Sequence, residues 1–332
     1  MTTLAIIGNG IAARSLIYSL AKAPKQFSRI LVFSSKEFAN PCSFNSTAIV
    51  APRGVSSGHS SLGDLLVEGI ETFAKHFEED QPHGVQKIIQ YTGASEKLDQ
   101  FKKRYPHGDL RSEIEGIELH SGEYFAEEVA YMVDPTIYLN WLVENSNNLP
   151  LQFLEEFVIS VIPGQEIQIK TLNGNEYRAD KLVFCTGTYS RFYKQFYQNK
   201  KLNSSKPIQG SYMRFENVSL DTPSLSITFN GNNFIFNKEL KRVLIGSTTS
   251  ETNTELPALA LTKIYQSLGK LLKIELPDLN KGIIHVGIRE KCSKREPYLF
   301  SQDNCYFSGG LYKNGYILGL KLAQDLSRQL ST

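Results

Sequence analysis

The segment Thr3-Leu4-Ala5-Ile6-Ile7-Gly8-Asn9-Gly10-Ile11-Ala12-Ala13-Arg14 decides how this chain is read. An apolar run of strand length enters a G-x-G-x-x-A turn. Ser15 to Ala23 then carries Leu16, Ile17, Leu20 and Ala21 at helical spacing, until Pro24 ends it. Strand, glycine turn and helix in that order open a dinucleotide-binding βαβ unit. Gly8 permits the tight turn. Gly10 leaves room for a pyrophosphate against the main chain, and Ala13 is small enough for the helix to pack on the strand. The amides of Ile11, Ala12 and Ala13, at the positive end of the helix, face the phosphates. Glycines also serve plain turns; the strand before and the helix after favour the nucleotide reading.

Arg29-Ile30-Leu31-Val32-Phe33 reads as a second buried strand. A dinucleotide site usually places an acid at its end, about 20 residues past the glycines, to bind the ribose hydroxyls. Ser34 and Ser35 stand there instead, and the nearest acid is Glu37. A serine hydrogen-bonds a hydroxyl without bringing charge. Either the dinucleotide reading weakens here, or Ser34 or Glu37 does this work less tightly. No arginine stands at the position, which disfavours a 2′-phosphate.

The 332 residues suffice for one large or two modest domains with a real core. Hydrophobic residues make up 41% and charged residues 21%, an ordinary globular balance. The net charge of +2 provides no global field for nucleic acid or membrane. The opening apolar run has no basic segment before it and ends at a glycine turn, so it reads as neither signal peptide nor membrane span. Cys42, Cys185, Cys292 and Cys305 lie far apart, which argues against disulfides and zinc and fits a reducing cytoplasm. The six histidines show no metal-ligand spacing, and no metal is expected.

Phe38 to Gly54 reads as an irregular loop: small hydroxylated residues, an apolar run, then Pro52 and Gly54. It suits either a plain connector or a loop offering amides and hydroxyls to a ligand. The G-x-G-x-x-A turn, a second strand without its acid, and Cys42-Ser43-Phe44-Asn45-Ser46-Thr47-Ala48-Ile49-Val50-Ala51-Pro52 together carry a resemblance. The chain resembles the FAD-dependent amine and amino-acid oxidases of the D-amino-acid oxidase type. It is most similar to glycine oxidases and to the oxidase half of the bifunctional tRNA wobble-uridine modification enzyme. The resemblance implies that Ser43, Asn45, Ser46 and Thr47 line the flavin. That family usually has a glycine where Ala48 stands.

Leu62, Leu65, Leu66, Ile70 and Phe73 mark a helix over Ser60 to Phe77. Gln81 to His107 mixes a short strand with a charged helix. Asp134-Pro135 reads as a helix start, with an acid at the cap and Pro just inside. It also matches the family's V-D-P turn. Leu151 to Val161 reads as a strand, and Asn173-Gly174 as a hairpin turn. Asp180 to Phe184 is a strand ending in Cys185-Thr186-Gly187. The resemblance implies that Val158 supplies backbone contacts to the adenine, and that Thr186 and Gly187 pass near the phosphates. Tyr189 to Lys206 interleaves aromatic and basic residues. That pattern suits RNA, but is more often an amphipathic helix with snorkelling lysines.

From Pro207 to Thr248 strands alternate with Gly and Asn turns, which suggests an antiparallel domain covering the substrate. Tyr212, Phe234 and Phe236 are expected to wall its pocket. Leu259 to Leu272 reads as an amphipathic helix. In Gly287-Ile288-Arg289, followed by Pro297, the resemblance implies an arginine over the flavin whose planar fork takes the substrate carboxylate. The family's acid ahead of the proline is replaced by Lys294, Arg295 and Glu296. Gly310-Leu311-Tyr312-Lys313-Asn314-Gly315 matches the glycine-oxidase segment G-H-F-R-N-G, with Leu311 and Lys313 in place of His and Arg. The amides there, at a second helix start, face the flavin's pyrimidine end. Cys292 is a candidate for covalent flavin attachment; a buried free thiol is the plainer reading.

The expected fold is therefore α/β: a Rossmann-like FAD-binding domain (1–75, 131–206 and 285–332) plus an antiparallel-sheet substrate domain (76–130 and 207–284). The resemblance implies FAD, a small carboxylate-bearing amine or amino acid as hydride donor, and O2 or another electron acceptor. Two alternatives stay open. One is a tRNA oxidase acting on a carboxymethylaminomethyl group. The other is a flavin-binding accessory protein without turnover, for which Ser34, Leu311 and Lys313 speak.

Overall fold

The computed structural model describes residues 2–24, 26–35, 41–95, 98–105, 109–119, 124–194, 199–251 and 255–331. Strand β1 (Thr3–Ile7) leads into helix α1 (Ile11–Ala21), and β2 (Arg29–Phe33) lies parallel to β1. There follow β3 (Ile49–Val50), α2 (Ser61–Asp80), β4 (Val85–Gly93), α3 (Leu98–Arg104), β5 (Asp109–Arg111), β6 (Phe125–Val133) and α4 (Pro135–Glu144). Next come β7 (Leu151–Leu154), β8 (Val158–Ile162), β9 (Ile167–Thr171), β10 (Glu176–Ala179), β11 (Lys181–Phe184) and the short helices α5 (Ser190–Tyr193) and α6 (Lys200–Asn203). The chain closes with β12 (Lys206–Phe215), β13 (Leu225–Phe229), β14 (Asn232–Asn237), β15 (Arg242–Gly246), α7 (Pro257–Leu271), β16 (Ile283–Lys291), β17 (Tyr298–Gln302), β18 (Cys305–Gly309) and α8 (Gly315–Leu330).

A six-stranded sheet in the order β17-β18-β11-β1-β2-β7 anchors the α/β part. All its pairings are parallel except the edge pair β17–β18. Both faces are covered, as a parallel sheet requires. Leu4, Ile6, Ile30 and Val32 point to α1 and α8, where they meet Leu16, Ile17 and Leu326. Ala5, Ile7, Leu31 and Phe33 point the other way, toward Val158, Val161 and Ile169 of the three-stranded sheet β8–β10. The period of two along β1 and β2 thus feeds two cores.

The second large sheet runs β16-β12-β15-β14-β13-β4-β6-β3, with β5 paired to β6. All its pairs are antiparallel except β13–β4. Helix α7 packs Leu261, Leu268 and Leu271 onto Phe215, Phe234, Phe236 and Ile245 of this sheet. Asp134 caps α4 as expected: its Oδ1 accepts from the Thr136 and Ile137 amides at 3.0 and 3.1 Å. Its Oδ2 accepts from Arg242 Nη1 at 2.7 Å, which ties the start of α4 to β15.

Two expectations are corrected. Leu151 to Val161 is not one strand but two, β7 and β8, with Glu155-Glu156-Phe157 between them. Tyr189 to Lys206 is not one amphipathic helix: its described residues form a 3-10 turn and the separate helices α5 and α6. Tyr193 is buried there and donates its hydroxyl to the Val158 carbonyl at 2.8 Å. Residues 195–198 and Glu37 lie outside the described residues. Among the described residues no helix is long and apolar enough to cross a membrane.

Candidate active site

One cavity of about 330 Å³ collects the residues that follow the strands. Gly8 follows β1, Ser34 and Ser35 follow β2, Glu156 follows β7, Thr186 and Gly187 follow β11, and Gly310 follows β18; all of them line it. The carboxyl ends of the five parallel strands therefore meet in one cleft, where open α/β sheets bind ligands.

The glycine turn is shaped by close approach. Gly8 has φ +122°, and a Cβ there would stand 2.3 Å from the Cys185 carbonyl oxygen. A Cβ on Gly10 would stand 2.9 Å from Ser43 Oγ. Arg14 holds the turn from below: Nε donates to Asn9 Oδ1 at 2.9 Å, and Nη1 to the Leu139 carbonyl at 2.9 Å. Ser43 ties the two helix starts together. Its Oγ accepts from the Ile11 amide at 3.0 Å, and its carbonyl accepts from Tyr316 Oη at 2.8 Å. Neither α1 nor α8 is capped by the side chain of its N-cap residue. Ala48, where the resemblance points to a glycine, has φ +31°, a conformation glycine adopts without steric cost.

Of the expected cofactor residues, Gly8, Gly10, Ile11, Ala12, Ser34, Ser35, Ser43, Ser46, Thr47, Val158, Thr186, Gly187, Gly310, Tyr312, Lys313 and Gly315 line the cavity. Ala13 does not; it is buried in the packing of α1 on the sheet. Asn45 lies aside as well, its Oδ1 3.4 Å from His285 Nδ1. Asn314 sits at the N-cap of α8, off the lining.

The expected wall of Tyr212 and Phe234 is corrected. Phe234 is fully buried in the α7-facing core, and Phe236 with it. Its neighbour Asn233 lines the cavity instead, because successive side chains on β14 point to opposite faces. Tyr212 stacks on His285 at 5.1 Å and does not reach the lining. Thr228, Asn233 and Ser247 form that wall.

Arg289 projects from β16 into the cavity. Its Nη1 is buried without a hydrogen-bond partner, and burial lowers its pKa. The adjacent Glu290 is 4% exposed. Burial pushes its carboxyl up to about 7, against hydrogen bonds from the Gly310 amide and the Tyr298 hydroxyl. Glu290 Oε2 accepts from Gly310 N at 2.8 Å, and its carbonyl accepts from Tyr312 N at 3.1 Å, so one residue grips the turn before α8 twice. Lys313 is pulled down to about 8, by desolvation first and then by Arg289, Arg295, Arg53 and Lys291. Cys292 is not on the lining. It is a buried free thiol packed with Tyr298 and Phe307, and burial pushes it up to about 12.

Sequence reading missed Glu156, Glu290 and Arg53 as lining residues. Glu156 accepts from Thr171 Oγ1 at 2.6 Å, Tyr177 Oη at 2.6 Å and Asn175 Nδ2 at 3.1 Å. It lies two residues past β7, beside the end of β2, where the Ser34 amide donates to the Leu154 carbonyl at 2.9 Å. The acid absent from the end of β2 is therefore matched by one just past the end of the neighbouring parallel strand. No local pattern marks it, since only the β2–β7 pairing brings it there.

The site fits FAD. It has a glycine turn that a Cβ would fill, an acid beside the end of β2, and lining cations that include a guanidinium with an unpartnered Nη1. A family model described as DAO, FAD dependent oxidoreductase, matches residues 3–329. A search of curated proteins gives no match. The fold is similar to glycine oxidase from Geobacillus kaustophilus, at TM-score 0.78 and 17% identity over 99% of this chain and 95% of that one. It is similar to iminodiacetate oxidase from Chelativorans sp. BNC1, at TM-score 0.78 and 16% identity over 99% and 95%. It is also similar to L-α-glycerophosphate oxidase from Mycoplasma pneumoniae, solved with FAD bound, at TM-score 0.77 and 14% identity over 100% and 96%. With a glycine-turn parallel sheet, a second, mostly antiparallel sheet and a family match along nearly its whole length, this chain belongs to the DAO family of FAD-dependent oxidoreductases.

Proposed function

We propose that this protein oxidises the C–N bond of a small amine carrying a carboxylate, in the manner of a glycine oxidase. The supporting observation is Arg289: a cavity-lining guanidinium with a buried, unpartnered Nη1 and no ion-pair partner among the described residues. An uncompensated cation in a desolvated site favours an anionic guest, and a planar fork suits a carboxylate. FAD, when bound, would accept a hydride, which carries both electrons, from the carbon beside the amine while the nitrogen loses a proton; water then hydrolyses the imine, and O2 or another acceptor reoxidises the flavin. Hydride loss from a neutral amine requires no acid–base dyad. The protein's part is to align the carbon and exclude water.

On this reading Ser34, Ser35, Glu156 and Val158 hold the adenosine end. The α1 start and Thr186 hold the pyrophosphate, and the Gly310–Gly315 turn holds the pyrimidine end. The six-stranded sheet and its helices form the FAD-binding domain, and the large antiparallel sheet forms the substrate domain. Glycine and iminodiacetate, named for two structural neighbours, are the first candidates. The test is an absorption spectrum of the purified protein followed by anaerobic titration with amines. A yellow protein bleached by such an amine is expected. Retained flavin that no amine reduces would favour an accessory role, and reduction by modified tRNA alone would favour the tRNA oxidase.

A further inference from the structure

We infer that Arg53 is a second anion seat in this cavity, and that the substrate is an amine bearing two carboxylates. The inference rests on the C–N oxidation reading and narrows its substrate class.

Arg53 lines the same cavity as Arg289 and Lys313. Its backbone is held at φ +50°, a region that non-glycine residues seldom occupy. Glu128 of β6 braces that turn: its Oε1 accepts from the Gly54 amide at 3.2 Å. Only Glu128 Oε1 is thereby engaged, while Oε2 is buried without a hydrogen-bond partner. Glu128 attracts Arg53 electrostatically, but the two form no direct ion pair among the described residues. Burial further pushes Glu128 toward its neutral form. The Arg53 Nε is buried and has no hydrogen-bond partner, as has Arg289 Nη1. Arg53 and Arg289 both act on Lys313, so the three cations share one electrostatic neighbourhood. The acid at this end, Glu290, is turned to Gly310 and Tyr298.

One carboxylate satisfies Arg289 and leaves Arg53 a buried cation with no direct ion pair, opposed by Glu128, which burial pushes toward its neutral form. Such a charge is costly unless an anion meets it. Lys313, on the turn opening α8, belongs to the flavin's pyrimidine end in the proposed site. The second guanidinium therefore falls to the substrate. Thr228, Asn233 and Ser247 add neutral hydrogen-bonding groups to the same cavity.

The experiment is anaerobic flavin reduction of the holoprotein by iminodiacetate and aspartate against glycine and sarcosine, on the natural protein and on Arg53→Gln. The two-carboxylate amines are expected to have apparent dissociation constants at least about tenfold lower. Arg53→Gln is expected to weaken them at least about tenfold more than it weakens the one-carboxylate amines. Equal or better binding of glycine or sarcosine by the natural protein overturns the inference and leaves C–N oxidation standing; this arm needs no variant. Reduction by modified tRNA alone overturns it as well. If no amine reduces the flavin, the oxidation reading fails; malonate perturbing the flavin spectrum at lower concentration than acetate then still supports a two-anion seat, and equal concentrations overturn it.

Discussion

Gly210 on β12 lies directly beneath the guanidinium of Arg289 on β16: a Cβ on Gly210 would stand 2.2 Å from Nη2 and 2.4 Å from Cζ. Gly210 pairs with Gly287, so Arg289 is its diagonal neighbour across the antiparallel ladder, within reach of a long side chain. The absence of a side chain at 210 lets the arginine lie flat and aim into the cavity.

Gly210→Ala is therefore expected to displace Arg289 while leaving the cavity lining unchanged in composition. The apparent affinity for carboxylate-bearing amines should fall by about 2–3 kcal/mol, as for one partner lost from a buried charge pair. FAD should be retained, because the turn at Gly8 and Gly10 is elsewhere in the fold. Titration of the reductive half-reaction checks this, and an unshifted titration would remove Arg289 from carboxylate binding.

Glu290 makes stability depend on pH. Its folded pKa of about 7 lies above the ordinary 4.5. Between those values the folded state keeps a proton that the unfolded chain has released. Its contribution is thus full below about 4.5 and is lost as pH rises through about 7, by roughly 3 kcal/mol in all. Glu290→Gln keeps an acceptor for the Gly310 amide and cannot ionise. Melting temperatures followed across this range at saturating FAD should fall with rising pH in the natural protein more steeply than in the variant. Parallel slopes would contradict the assignment.

Lys313 sets a second, more alkaline limit. It is cationic below about 8 and neutral above. Binding of acetate, which does not itself titrate there, should weaken as pH rises through that value. Lys313→Arg should hold the affinity to higher pH, since a guanidinium stays charged. Flavin difference spectra report both curves, and coincident profiles would exclude Lys313 from the anion field.

Glu156→Ala tests whether the acid beside β2 serves the cofactor. Loss of a charged hydrogen-bonding partner for the ribose should raise the FAD dissociation constant about tenfold or more, corresponding to roughly 1.5–3 kcal/mol. Titration of the apoprotein with FAD measures it, with Thr171→Val as the control for the hydrogen bonds Glu156 accepts within the fold. Equal losses in the two variants would mark Glu156 as structural.

What could be read from the chain alone was whatever depends on neighbours in sequence. The glycines at 8, 10, 310 and 315, the cap Asp134 with Pro135, and the hairpin turn at Asn173-Gly174 all act within a few residues of themselves, through backbone freedom, amide satisfaction and turn geometry. Their residue types carry the signal, and they suffice for two glycine-opened helix starts and the α/β class. The tertiary structure alone decided the rest of the site. Glu156 reaches the end of β2 because β7 pairs with β2, more than a hundred residues away in the chain. Asn233 and not Phe234 faces the cavity because strand parity is set by which face α7 covers. Arg53, Arg289 and Lys313 come from three separate segments, and only the folded chain makes their charges one field. Local sequence encodes backbone conformation; electrostatic neighbourhoods arise from long-range packing, which no window of sequence contains.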